Sequence, residues 1–211
     1  KENADEMVFN DFEFDQNGMI YILTGANQGG KTAITYAVGI VQALFQLGFF
    51  VPARSAKLSP VDNLLIHFPS TGAAVGKGRL GEECDHLRQI LSRISEYSMV
   101  LMDEAFSSTS AVEASYIAGE VLLGISLIGA RGIFATHLHD LAQQVDRLNA
   151  HGGNKAMLDN LVAEVESEST KRTFKISRIK PDGLSYARSI AEQYGITLEQ
   201  ILENRRSKRG S

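Results

Sequence analysis
The sequence predicts an α/β fold: a mostly parallel sheet flanked by helices, with an antiparallel hairpin on one edge. Short apolar runs of the kind buried on both sheet faces alternate with segments of helical periodicity, and late in the chain two extended segments flank a polar turn. The 211 residues, 44% hydrophobic and 22% charged, suffice for one domain with a sizeable core, so residues 1–211 are expected to form a single unit.

Met19-Ile-Tyr-Ile-Leu-Thr24 has the β-branched and aromatic content of a central strand and stops at Gly25. From Lys31 to Leu47, the apolar residues Ile34, Ala37, Val38, Val41, Leu44 and Phe45 recur at helical spacing, which predicts a helix burying that stripe and ending at Gly48. Leu64 to Phe68 forms a second strand, and a glycine-rich stretch leads into a helix over about 82–96 with Leu87, Ile90, Leu91 and Ile94 inward. Ser98 to Met102 is a third strand ending in Asp103-Glu104. Ser110 and Glu113 then make a capping box that opens a helix towards Leu127. Gly132 to Ala135 is a fourth strand closed by Thr136-His137, with a helix near 138–148 behind it. Met157–Val165 and Thr173–Ile179 form the edge hairpin, and two short helices finish the chain, the last capped by Thr197 with Gln200 in the box position.

A formal net charge of -4 argues against the chain itself being a broad nucleic-acid surface, which needs clustered Lys and Arg. The lone Cys84 excludes an internal disulfide and is expected on the buried side of a helix, which suits a reducing, cytoplasmic setting. No uninterrupted apolar run reaches the roughly 18 residues of a membrane span, so no membrane partner is expected. The start at Lys1 without methionine and the basic end Arg205, Arg206, Lys208, Arg209 are those expected of a piece of a longer protein.

Ligands of such sheets bind beyond the carboxyl ends of the strands, where three polar clusters fall. The first is Gly25-Ala-Asn-Gln-Gly-Gly-Lys31-Thr32, which fits GxxxxGK(S/T) directly after a strand and before a helix. Its glycines let the backbone curve around a phosphate, the helix start adds positive potential, Lys31 reaches the β- and γ-oxygens, and Thr32 offers a hydroxyl to Mg²⁺. Gly25, Ala26, Asn27, Gln28, Gly29, Gly30, Lys31, Thr32 and Ala33 are therefore the predicted nucleotide-binding residues. The second cluster, Asp103-Glu104, divides into an expected magnesium ligand, Asp103, and a base for the attacking water, Glu104, because unpaired buried carboxylates are otherwise costly. The third is His137, able to hydrogen-bond the γ-phosphate or the water, although a lone strand-end histidine is more often structural and His139 competes for the role. The predicted catalytic residues are Glu104 and Lys31, joined by His137 through the family resemblance that follows; the metal set is Thr32 and Asp103, and the ligands are ATP and magnesium.

Thr24-Gly-Ala-Asn-Gln-Gly-Gly-Lys-Thr32, Val51-Pro-Ala53, Glu96-Tyr-Ser-Met-Val-Leu-Met-Asp-Glu104, Thr109-Ser110, Phe134-Ala-Thr-His137, Asp182-Gly183 and Ser185-Tyr186 stand in an order that resembles the ATPase domain of the MutS family. The resemblance implies a P-loop NTPase of the ABC type and a homodimer with composite sites, each ATP sandwiched between one P-loop and a helix start of the other copy. The matching helix start is Gly76-Lys-Gly-Arg-Leu-Gly-Glu-Glu83, which makes Gly78, Arg79 and Gly81 the trans phosphate contacts; by composition it is also simply a flexible loop. Met7 and Val8 fall near the adenine by the same alignment, and apolar packing explains them equally. The sequence departs from the family pattern at Gly78, where a serine is usual, and at Phe106-Ser107-Ser108, where Gly-Arg-Gly is usual, which suggests a divergent branch. The expected function is an ATPase whose closing dimer moves DNA-engaging parts of a longer protein. The alternatives are a nucleotide-gated dimerisation module with little turnover, another ABC-type ATPase, and a small-molecule kinase. A transporter ATPase would carry LSGGQ, which the sequence lacks.

Overall fold
The computed structural model describes residues 7–25, 29–68, 78–165, 172–181, 191–192 and 194–207. The strands are β1 (Ile20–Gly25), β2 (Leu64–His67), β3 (Met99–Asp103), β4 (Arg131–Ala135), β5 (Leu158–Val165) and β6 (Arg172–Ser177). The helices are α1 (Lys31–Gln46), α2 (Arg79–Leu91), α3 (Ala111–Ile128), α4 (His139–Gln143), α5 (Val145–Asn149) and α6 (Leu198–Ser207). One six-stranded sheet runs in the order β2-β3-β4-β1-β5-β6. All pairings are parallel except β5 with β6, so the expected antiparallel pair closes one edge. The polar turn joining those strands, residues 166–171, lies outside the described residues, as do 182–190 with the Asp182 to Tyr186 segment.

The central strands are continuous apolar runs because both faces are covered. Ile20, Ile22, Val100, Met102 and Phe134 share one core with α2, α3, α4 and α5, while Tyr21, Leu23, Leu101 and Ile133 share the other with Ile34 and Val38 of α1. The predicted stripe of α1 is only partly right. Its buried residues are Lys31, Thr35, Gly39 and Gln42, whereas Ala37 is exposed. Close approach is the cause: a Cβ on Gly39 would meet Leu101 Cδ1 at 2.8 Å, so the nearest point of the helix must be small. Cys84 is exposed rather than buried, because α2 turns Glu83, Leu87 and Ile90 inward at i, i+4 and i+7 and leaves position 84 to one side.

The expected helix near 138–148 is two short helices parted at Gln144. α3 begins at Ser110, whose hydroxyl accepts from the Glu113 N–H at 3.4 Å, as the capping box predicts. By length and composition α3 could cross a membrane, a qualification of the sequence expectation. Its Ala114, Ala118, Leu122 and Ile125 instead pack in the core beside β-strand residues, which marks a core helix carrying Glu113 and Glu120.

Candidate functional site
The carboxyl ends of β1, β3 and β4 are neighbours in the sheet, and Leu23, Ala135 and Asp103 lie in one register row. The three sequence clusters therefore leave the sheet at adjacent points. Gly25 takes φ 121°, and a Cβ there would lie 2.5 Å from the Ala163 carbonyl oxygen, so only glycine lets the chain leave β1 in this direction. Gly30, at φ 96°, is the left-handed cap of α1, and no acidic side chain stands in the first turn to neutralise the helix start. Ala26, Asn27 and Gln28 lie outside the described residues. Gly29 is buried, and Ala33 is exposed in the first turn of α1.

Lys31 is buried and its Nζ donates to the Gly25 carbonyl at the end of β1, at 3.0 Å. Burial lowers the ammonium pKa from its ordinary value, and the nearby charges of Glu104 and Asp103 oppose that shift. Thr32 Oγ1 donates to Asp103 Oδ2 at 2.7 Å, joining the start of α1 to the end of β3. Asp103 is 3% exposed, and its other oxygen, Oδ1, is buried with no hydrogen-bond partner. Burial pushes this carboxyl above the ordinary carboxylate range and the Glu104 charge adds to the rise, while the Thr32 hydroxyl and Lys31 pull it down.

Glu104 turns away from Asp103. Its N–H donates to the Ala135 carbonyl at 2.8 Å, and Oε2 lies 2.5 Å from His137 Nδ1. Of the two neighbouring histidines, His137 meets the Glu104 carboxylate, whereas His139 Nδ1 is buried with no hydrogen-bond partner. With Glu104 ionised, His137 donates its Nδ1–H, and a neutral ring then presents Nε2 as an acceptor only. Thr136 accepts the Leu138 N–H on its hydroxyl at 3.1 Å, which sets the bend that carries His137 out of β4.

Gly78 caps α2, and Gly78, Arg79 and Gly81 are exposed at its start, while Gly76 lies outside the described residues. No hydrogen bond among the described residues joins these three to Thr32, Asp103, Glu104 or His137. Met7 is exposed and Val8 half-buried. Two residues without a sequence assignment border the site: Glu83 of α2, whose Oε1 accepts the Phe106 N–H at 2.7 Å, and His67 of β2, whose Nε2 meets the same oxygen at 3.2 Å. The available signal was an acid on the inward face of α2, in line with Leu87 and Ile90.

Fold and site together define an α/β protein whose polar cluster gathers at the carboxyl ends of β3, β4 and β1 in a mostly parallel sheet. The family model of MutS domain V matches residues 21–207. The chain belongs to the MutS family. It is 33% identical over 202 residues to the DNA mismatch repair protein MutS of Chlorobium phaeobacteroides, covering 94% of this chain and 22% of that protein. The MutS of Brevibacillus brevis is 31% identical over 204 residues, with the same 94% and 22% coverage. That of Chlorobium chlorochromatii is 36% identical over 141 residues, 66% of this chain and 16% of the relative. The chain thus spans about a fifth of the length of the relatives it matches.

Proposed function
We propose that the chain is the ATP-binding and ATP-hydrolysing domain of a MutS-type protein, a P-loop NTPase of the ABC type. The observation that carries this reading is the 2.7 Å bond between Thr32 and Asp103, which unites the glycine-lysine-threonine turn with a strand-end acid 71 residues away. The donor set suits Mg²⁺. Hard cations take oxygen ligands, usually one or two carboxylates plus substrate phosphates, and Asp103 Oδ1 is a buried oxygen without a partner next to a hydroxyl. Among the described residues no group of three or more His, Cys, Asp or Glu side chains is arranged to hold a metal ion by itself.

Thr32 and Asp103 would hold the cation, which when bound neutralises charge on the phosphate oxygens. Lys31 and the backbone from Gly25 to Ala33 bind the β- and γ-phosphates, aided by the bare positive end of α1. Glu104 accepts the proton of the attacking water, and His137 fixes the carboxylate through Nδ1. Since that nitrogen donates to Glu104, donation from Nε2 to a γ-phosphate would require the imidazolium. By family membership we extend the reading to a homodimer in which Gly78, Arg79 and Gly81 of one copy face the nucleotide of the other. DNA would be engaged by other parts of a longer mismatch-repair protein, and the exposed free thiol of Cys84 favours a reducing, cytoplasmic setting.

Glu104→Gln is the test. Steady-state phosphate release should fall by about 10² to 10⁴ while binding of a fluorescent ATP analogue persists, as expected on loss of a general base. Turnover unaffected by the substitution, or absent from the wild type, would refute hydrolysis by this site. Absent turnover with retained binding would point to a nucleotide-gated module.

A further inference from the structure
The turn after β3 contains two non-glycine residues in the left-handed region, Glu104 at φ 50° and Phe106 at φ 64°. Backbone of this kind is costly for any residue with a Cβ and persists only where its surroundings hold it. Three contacts hold it here. The Glu104 N–H is fixed to Ala135, the Phe106 ring is buried in the core, and the Phe106 N–H donates to Glu83 Oε1 at 2.7 Å. The first two belong to the sheet and its core. The third reaches in from a different helix, and it acts on the residue two positions after Glu104.

Glu83 is itself locked. Its side chain is 15% exposed, and His67, 7% exposed, meets Oε1 through Nε2 at 3.2 Å. Ser108 Oγ lies 3.4 Å from Oε2, on the far side of the same turn. His67 Nδ1 lies 3.0 Å from His86 Nδ1, so one of the two must donate. An ionised Glu83 accepts Nε2–H from His67, which leaves His67 Nδ1 to accept from His86 in a fully matched chain of donors and acceptors.

We propose that Glu83 is a positioning residue for Glu104: by accepting the Phe106 N–H it holds the left-handed turn and keeps the Glu104 carboxylate against His137. The inference rests on the reading of Glu104 as the hydrolytic base. It also ties that base to α2, the helix whose exposed start bears Gly78, Arg79 and Gly81.

The experiment compares Glu83→Ala with Glu83→Gln, whose carbonyl oxygen can still accept the Phe106 N–H. Phosphate release is measured against ATP concentration, and amide hydrogen exchange is followed at Phe106. Glu83→Ala should lower kcat by about ten-fold or more with KM changed less than about three-fold, the pattern of a misplaced group rather than lost binding. Glu83→Gln should recover most of that kcat. The Phe106 amide should exchange slowly in wild type and Glu83→Gln and rapidly in Glu83→Ala. Should Glu83→Ala fail to fold, Glu83→Asp, which withdraws the acceptor by one methylene, takes its place with a smaller loss in the same direction. Equal kcat losses in the alanine and glutamine variants, a rise in KM alone, or an unchanged Phe106 exchange rate would overturn the proposal. A wild type without Glu104-dependent turnover would instead sink the ATPase reading, and the exchange at Phe106 would still decide whether Glu83 holds the turn.

Discussion

Asp103→Asn should stabilise the ligand-free protein and at the same time abolish its response to nucleotide. In the folded chain Asp103 is 3% exposed, with one oxygen satisfied by Thr32 and the other unpartnered. A buried acceptor without a partner costs about 1–3 kcal/mol. Burial is the leading cause that raises this carboxyl above its ordinary range, so the folded state binds the proton more tightly than the unfolded state does. The sign follows. The stability tied to protonation is fully present below the unfolded pKa, near 3.8, and is lost as pH rises through the raised folded value, so at neutral pH the carboxylate burdens the fold. The amide keeps an acceptor for the Thr32 hydroxyl and removes the charge, but it leaves a buried N–H₂ in place of the orphaned oxygen. The expected net gain is therefore at the low end, about 1 kcal/mol. In a chain of this size that raises Tm by about 2–4 °C.

Thermal melts of both proteins near neutral pH, with and without magnesium and a non-hydrolysable ATP analogue, provide the assay. Wild type should gain about 2.7 kcal/mol at a ligand concentration a hundred times Kd, and the variant much less. The reasoning is refuted if the ligand-free variant melts below wild type, or if both proteins gain equally from the ligand.

Two further outcomes follow from the same packing. Burial lowers the His67 pKa from its ordinary 6.5, with Glu83 opposing, so stability should hold above about pH 6.5 and decline as pH falls through that value towards the lower folded pKa. Denaturant midpoints taken between pH 8 and pH 5 should show this decline in wild type and a flatter profile in His67→Gln. At Phe106, removal of the buried ring costs about 3–5 kcal/mol, but the left-handed backbone penalises any Cβ by about 1–2 kcal/mol. Phe106→Gly should therefore be destabilised yet remain about 1 kcal/mol more stable than Phe106→Ala by denaturant melts. The opposite order would show that the turn carries no strain.

Much of the sheet was legible because strands buried on both faces leave an unbroken apolar signature, as in Met99 to Met102. The edge pair was legible because its two segments flank a run of polar residues. The span of α1 was legible but its buried face only in part, because hydrophobicity marks oily positions such as Ile34 and Val38, whereas the point of closest approach to β3 is Gly39, flanked by Thr35 and Gln42. The break at Gln144 left no trace in composition. Sequence spacing proposed Thr32 and Asp103 as partners, and the structure brings them into contact. Spacing alone did not separate His137 from His139, and only the family resemblance favoured His137; the contact of His137 with Glu104 depends on the bend set by Thr136 after β4. Glu83 escaped because its partner is the backbone N–H of Phe106, on a separate element, whereas helical spacing marks only the inward face of α2. The departure from Gly-Arg-Gly was visible at Phe106, but the left-handed backbone there was not: a position suited to glycine holds a buried aromatic instead.

Isothermal titration of the wild-type chain with a non-hydrolysable ATP analogue in magnesium, repeated without the metal and with Lys31→Ala, bears most directly on the central claim. One saturable site is predicted, weakened by removal of the cation and by loss of the lysine ammonium. Heats that are absent, or that are indifferent to both magnesium and Lys31, would contradict it.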